Sequence, residues 1–215
     1  MIILFDLDGT LINSTDAIVS TFHHSFEVLG LPLHVEIDDE SIKTLIGYPL
    51  DIMYTQLGVK QDKVWDYVAT YKEEYRKIST IKTKLLENAV ESVKMASQFA
   101  ELGIVTTKTG KYSKVLMQHF DLMKYFKVLV GYEDVKNPKP HAEPILKALK
   151  SFDTNNKEIW MIGDTKLDLI CAKNAGVNSV GVLCGYGDEK TLKEFSKVVL
   201  KDSLEAIEYL KNRKK

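Results

Sequence analysis

Short apolar runs recur along the chain at residues 2–5, 104–105, 128–130, 159–162, 180–183 and 198–200, and most are followed by a stretch of helical periodicity. This alternation constrains the fold more than any other feature. Runs of that length without internal polar residues suit strands buried on both faces, and a helix between successive strands supplies the crossover that parallel pairing needs. The pattern predicts an α/β fold, a doubly wound (Rossmann-like) parallel sheet. Helices are expected over 90–102, 113–119, 143–150, 166–175 and 204–211, with Gly103 and Gly176 standing where helix C-termini stop.

The rhythm fails between about residues 15 and 80. There the sequence offers helical stretches at 17–29, 40–46, 53–57 and 64–78, a linker containing Pro32 and His34, and no strand. At 215 residues the chain exceeds a typical single domain and falls short of two. One core carrying an insertion is therefore expected: an α/β core from 1–14 and 81–215, and an inserted all-helical cap over 15–80. Trp65, Tyr67, Tyr71 and Tyr75 read as a packing stripe in the insertion.

Charge is nearly balanced, with 29 basic and 30 acidic side chains. No global field exists to recruit nucleic acid or an anionic membrane, and the basic run 211–215 reads as a solvated helix end. Cys171 and Cys184 lie in different expected elements and no secretory leader is evident, so reduced thiols and a cytoplasmic location are expected.

The residues that carry chemistry sit at strand ends. In Asp6-Leu7-Asp8-Gly9-Thr10, alternation in an extended chain sends both carboxylates to one side and Leu7 to the other. Gly9 permits a sharp turn and close ligand approach, and Thr10 adds a hydroxyl and an amide. Alone, this is an ordinary acidic turn; a helix-loop-helix calcium site is excluded because its glycine falls later and its flanks are helical. A second acidic pair, Asp164 and Asp168, follows the run 159–162, where Asp164 reads equally as a helix N-cap.

In an open parallel sheet the strands' carboxyl ends converge on one crevice, so Asp6, Asp8, Asp164 and Asp168 are expected to meet. Carboxylates so clustered repel unless a hard cation neutralises them, and oxygen donors with few histidines point to Mg²⁺. Thr106-Thr107-Lys108 and Lys139 add a hydroxyl and a fixed cation at two further strand ends. His23, His24, His119 and His141 are read as surface, packing or helix-end residues.

The ordered set DLDGT, GIVTTK, KPHAEP and GDTKLD resembles the haloacid dehalogenase superfamily, specifically its phosphatases with a helical cap, and with Gly185-Tyr186-Gly187 it is similar to phosphoglycolate phosphatases. The resemblance spans nearly the whole chain. It implies a Mg²⁺-dependent phosphomonoesterase working through an aspartyl-phosphate. Asp6 would be the nucleophile and Asp8 the acid/base, needing a raised pKa. Asp6, the backbone carbonyl of Asp8, and Asp164 would hold the metal, with Asp168 supporting the metal or orienting Lys139. Thr106 and Lys139 would bind phosphoryl oxygens. Gly9, Thr10 and Thr107 would line the substrate, as would Gly47 and Tyr48 in a loop that resembles the family's specificity loop and reads equally as plain turn punctuation. Thr107 stands where many relatives carry Asn, so both threonines stay open; Asn13 and Ala142 are further departures.

A small phosphorylated metabolite is the expected partner, bound by a monomer or homodimer whose cap closes over it. A pyrophosphatase or a sugar-phosphate mutase on the same core are the enzymatic alternatives. A phospho-accepting receiver-like signalling domain is the non-enzymatic one, with its acids in a different chain order.

Overall fold

A computed structural model describes residues 1–32 and 37–213. His34 of the expected linker and the last two residues of the basic run, Lys214 and Lys215, lie outside the described residues. The chain divides into two compact units, one comprising 1–13 and 85–215, the other 14–84.

The first unit is built on β1 (Ile2–Phe5), β4 (Glu101–Val105), β5 (Phe126–Val130), β6 (Ile159–Gly163), β7 (Asn178–Val182) and β8 (Val199–Leu200), in the spatial order β5-β4-β1-β6-β7-β8. All five pairings are parallel. β1 therefore lies in the middle, and the strand order reverses on either side of it, which opens a crevice at the carboxyl ends. Two short strands, β2 (Ile12–Asn13) and β3 (Lys84–Leu85), pair where the chain leaves and re-enters this unit.

Strand alternation sorts the core. Ile3, Phe5 and Leu7 point to one face with Trp160, Ile162 and Val180, and pack under α5 (Ala89–Ser97), α6 (Gly110–His119) and α10 (Ser203–Asn212). Ile2, Leu4 and Met161 point to the other, with α7 (Glu143–Leu149) and α8 (Lys166–Asn174). The sheet is thus covered on both faces, the doubly wound arrangement expected of uninterrupted apolar strands.

Two readings need correction. The helix expected over 90–102 ends at Ser97, because Glu101 and Leu102 already pair with Ile2 and Ile3 in the sheet. Gly103 is accordingly a mid-strand residue, and it is glycine because a Cβ there would lie 2.8 Å from Leu4 Cδ2 and 3.0 Å from Val128 Cγ1. Gly176 does follow its helix in the left-handed region, at φ +69°. Between β7 and β8 the chain also forms α9 (Glu189–Phe195), capped by the Asp188 carboxylate accepting from the Thr191 N–H.

The second unit is helical: α1 (Thr15–Leu29), α2 (Asp39–Lys43), α3 (Leu50–Gln56) and α4 (Val64–Lys82). Its centre is aromatic. Phe22 lies 4.5 Å from Tyr54 and 5.1 Å from Tyr71 between ring centroids, and Tyr71 stacks on Tyr75. Tyr67, Tyr71 and Tyr75 share one face at four-residue spacing, whereas Trp65, two residues earlier, is turned out and 57% exposed. Trp65 therefore does not belong to the packing stripe. His23 pairs with Asp39 at 2.7 Å and His24 approaches Glu74 at 3.9 Å, both inside this unit. Among the described residues, no helix is long and apolar enough to cross a membrane.

Candidate active site

Register brings the strand ends level. Phe5 pairs with Ile104 on one side and Ile162 on the other, so Asp6 follows beside the ends of β4 and β6, and its N–H donates to Ile162 O at 2.8 Å. Thr106 and Asp164 are the first residues beyond those two neighbouring strands. The turn after Asp6 is held by the Leu7 carbonyl, which accepts from the N–H groups of Thr10, Leu11 and Ile12. Gly9 makes that turn at φ +81°, where a side chain is strained.

Asp6, Asp164 and Asp168 are buried and each offers a carboxylate oxygen within 4.8 Å of the others. Lys139, also buried, donates to Asp6 Oδ1 at 2.8 Å, to Asp168 Oδ1, and to the Val105 carbonyl at 3.1 Å. Burial pushes the Asp6 carboxyl up to about 7, with the charge of Asp168 adding to the rise and Lys139 opposing it. Burial likewise holds Asp164 well above the usual carboxylate range, reinforced by Asp6 and Asp168. Burial lowers the pKa of Lys139, but Asp168 and Asp6 outweigh it and hold it above that of an ordinary lysine.

Asp164 is not a helix cap. The N-cap of α8 is Thr165, in a capping box with Asp168, whose Oδ2 accepts from the Thr165 N–H and hydroxyl. Asp164 instead reaches across the crevice, accepting from the Thr10 hydroxyl at 3.0 Å and the Tyr186 N–H at 2.8 Å. The loop carrying Tyr186 presses so close that a Cβ on Gly185 would lie 2.1 Å from Asp164 Oδ2. Gly185 thus serves close approach to Asp164. Asp168, lying on α8 while Asp164 precedes it, does not share a helical face with Asp164. Both Asp168 oxygens already accept hydrogen bonds, which ties it to Lys139 and the start of α8.

The carboxylate of Asp8 is not part of the three-acid group. It pairs with Lys108 Nζ at 2.9 Å. Lys108, the last residue of the TTK motif, stands three positions past the end of β4. Thr106 is buried, and its Oγ1 accepts from the Lys108 N–H at 3.2 Å, whereas Thr107 is half-buried. Gly47 and Tyr48 lie in the helical unit, Gly47 at φ +108°. His141 is exposed, and its Nδ1 accepts from the Glu143 N–H. The two thiols are unlinked, Cys171 donating to the His141 carbonyl and Cys184 to that of Gly9.

A hard dication fits this donor set. Once ionised, the three buried carboxylates against the ammonium of Lys139 leave two negative charges, the charge that one such ion neutralises, and every donor is oxygen.

The fold and this cluster define a doubly wound α/β protein with an acid-lined crevice at the switch point of its sheet. The family model for haloacid dehalogenase-like hydrolases matches residues 3–182. A pyrophosphatase PpaX from Halalkalibacterium halodurans is 34% identical over 194 residues, covering 90% of this chain and 88% of that protein. A protein named "Probable phosphatase IndB" from Dickeya dadantii is 30% identical over 212 residues, 96% of this chain and 91% of its own. Among solved structures, a hydrolase of the haloacid dehalogenase-like family from Streptococcus pneumoniae superposes with a TM-score of 0.85 at 25% identity, covering 97% of each chain. The chain belongs to the haloacid dehalogenase-like hydrolases, on the phosphatase side of that family.

Proposed function

We propose that the chain hydrolyses a small phosphorylated metabolite in two steps through a phosphoryl group carried on Asp6. The observation that carries this reading is the position of Asp6: buried at the end of the central strand, its Oδ1 held by Lys139, its carboxyl beside Asp164. Lys139 fixes the carboxylate in one orientation, so Oδ2 is the atom directed to phosphorus. In the first step this oxygen forms a bond to phosphorus, the bond to the leaving oxygen breaks, and Asp8 gives that oxygen its proton. In the second, water attacks phosphorus, Asp8 takes the water proton, and the Asp6 carboxylate is released. Thr106, at the end of β4, and Lys139, which lies not at a strand end as expected but in the segment between β5 and α7, supply donors to the phosphoryl oxygens.

Asp6, Asp164 and the Asp8 carbonyl would hold Mg²⁺, which supplies positive charge where the transferred group carries negative charge. Asp168 serves by holding Lys139. The clamp on Asp164 from Thr10, Tyr186 and Gly185 keeps one ligand fixed, as a preorganised metal site requires.

For the leaving group, a phosphoglycolate-like monoester is the first reading. Pyrophosphate is the second, favoured by the 34% identity to a protein named pyrophosphatase. Replacing Asp6 by Asn is expected to abolish turnover of an aryl phosphate with Mg²⁺ while leaving the circular dichroism spectrum unchanged; retained turnover contradicts the assignment. Rates of phosphate release from phosphoglycolate and from pyrophosphate, measured side by side, decide between the two substrates.

A further inference from the structure

We propose that Lys108 is the positioning residue for Asp8, fixing the orientation of the carboxyl that moves protons to the leaving oxygen and from water. The inference rests on the two-step reading above. Asp8 follows β1 and Lys108 follows β4, two adjacent parallel strands, so each projects from a strand end into the same crevice. Lys108 Nζ meets Asp8 Oδ2 at 2.9 Å with the two side chains only 9% and 11% exposed. Little water competes for that contact, so it orients more strongly than a surface pair.

The backbone beneath Lys108 is held as well. Its N–H donates to Thr106 Oγ1 at 3.2 Å, and its carbonyl accepts from the Tyr132 N–H at 3.1 Å, which ties it to the segment leaving β5. The ammonium therefore projects from a fixed base.

The crevice in this way divides its acids between two cations. Lys139 holds Asp6 and Asp168, and Lys108 holds Asp8. Without Lys108, the Asp8 carboxyl loses this buried contact, and the proton it delivers is misplaced. An error of about 1 Å in such a group costs on the order of 10²-fold in rate. The loss falls on poor leaving groups, because a leaving oxygen that is already a weak base departs without a proton.

The test is kcat/KM of wild type, Lys108→Met and Lys108→Arg over aryl and alkyl phosphates of graded leaving-group basicity, with Mg²⁺ saturating. This parameter reads only the steps through departure of the leaving group. For Lys108→Met, a loss of about 10²-fold on alkyl phosphates, shrinking to less than about 3-fold on nitrophenyl phosphate, is expected. Lys108→Arg retains a cation at the contact and is expected to recover most of the alkyl rate. An equal loss on every substrate overturns the inference, as does a loss in Lys108→Met that Lys108→Arg shares in full. Wild-type turnover together with an inert Asp6→Asn variant shows that the underlying reading stands independently.

Discussion

The two units bury opposite kinds of side chain. Among the described residues, the helical unit buries no Asp, Glu, Lys or Arg; its buried polar groups are hydroxyls such as Thr21 and Ser25, each of which donates to the carbonyl four residues back. The sheet unit buries five aspartates and a lysine: Asp202 caps α10, while Asp6, Asp8, Asp164, Asp168 and Lys139 belong to the crevice. Burying charge costs several kcal/mol per group unless it is paired, and a single lysine does not neutralise three acids. The buried centre of the helical unit is therefore apolar and aromatic with paired hydroxyls, whereas the crevice of the sheet unit holds an arrangement that packing cannot explain and cation binding can.

The contrast makes separable predictions. Phe22→Ala removes the ring that meets Tyr54 and Tyr71, and is expected to destabilise the helical unit by about 3–5 kcal/mol in chemical denaturation while leaving Mg²⁺ affinity unchanged. Gly185→Ala acts in the opposite sense: its Cβ would collide with Asp164 Oδ2, and Mg²⁺ affinity by titration is expected to fall roughly 10–100-fold, the range for disturbing the support of a metal ligand. A variant that moved both properties equally would erase the distinction between the units.

The smallest effect concerns pH. A carboxyl whose folded pKa is raised, as burial raises that of Asp6 to about 7, favours folding while protonated, and that contribution is lost as pH rises from about 4 through about 7. The same proton competes with a bound cation. The increase in Tm on adding Mg²⁺ is therefore expected to grow from pH 5.5 to pH 8, by a few degrees in thermal scans. A gain independent of pH would show that the cation does not bind at Asp6.

Much of this organisation was legible from local pattern. Uninterrupted apolar runs identified the buried strands, and their carboxyl ends marked where Asp6, Thr106 and Asp164 would come level, because parallel pairing sets strand ends side by side. What pattern missed was decided by distant packing. Gly103 looked like a helix stop, since its close contact with Leu4 and Val128 comes from neighbouring strands. Asp164 looked like an N-cap because its partners, Thr10 and Tyr186, lie 154 and 22 residues away. Lys108 had no role of its own in its motif because its meaning depends on Asp8, a partner beyond another strand. Trp65 was placed in the tyrosine stripe by helical spacing, although its phase on α4 turns it outward.

The central claim is that Asp6 carries the phosphoryl group. The most direct measurement is rapid acid quench of the wild-type enzyme during turnover with Mg²⁺, followed by peptide mass mapping. The account predicts the added mass of one phosphoryl group on the peptide containing Asp6, absent from Asp6→Asn. A phosphoryl group on another residue, or turnover with no phosphorylated peptide at any quench time, would contradict it.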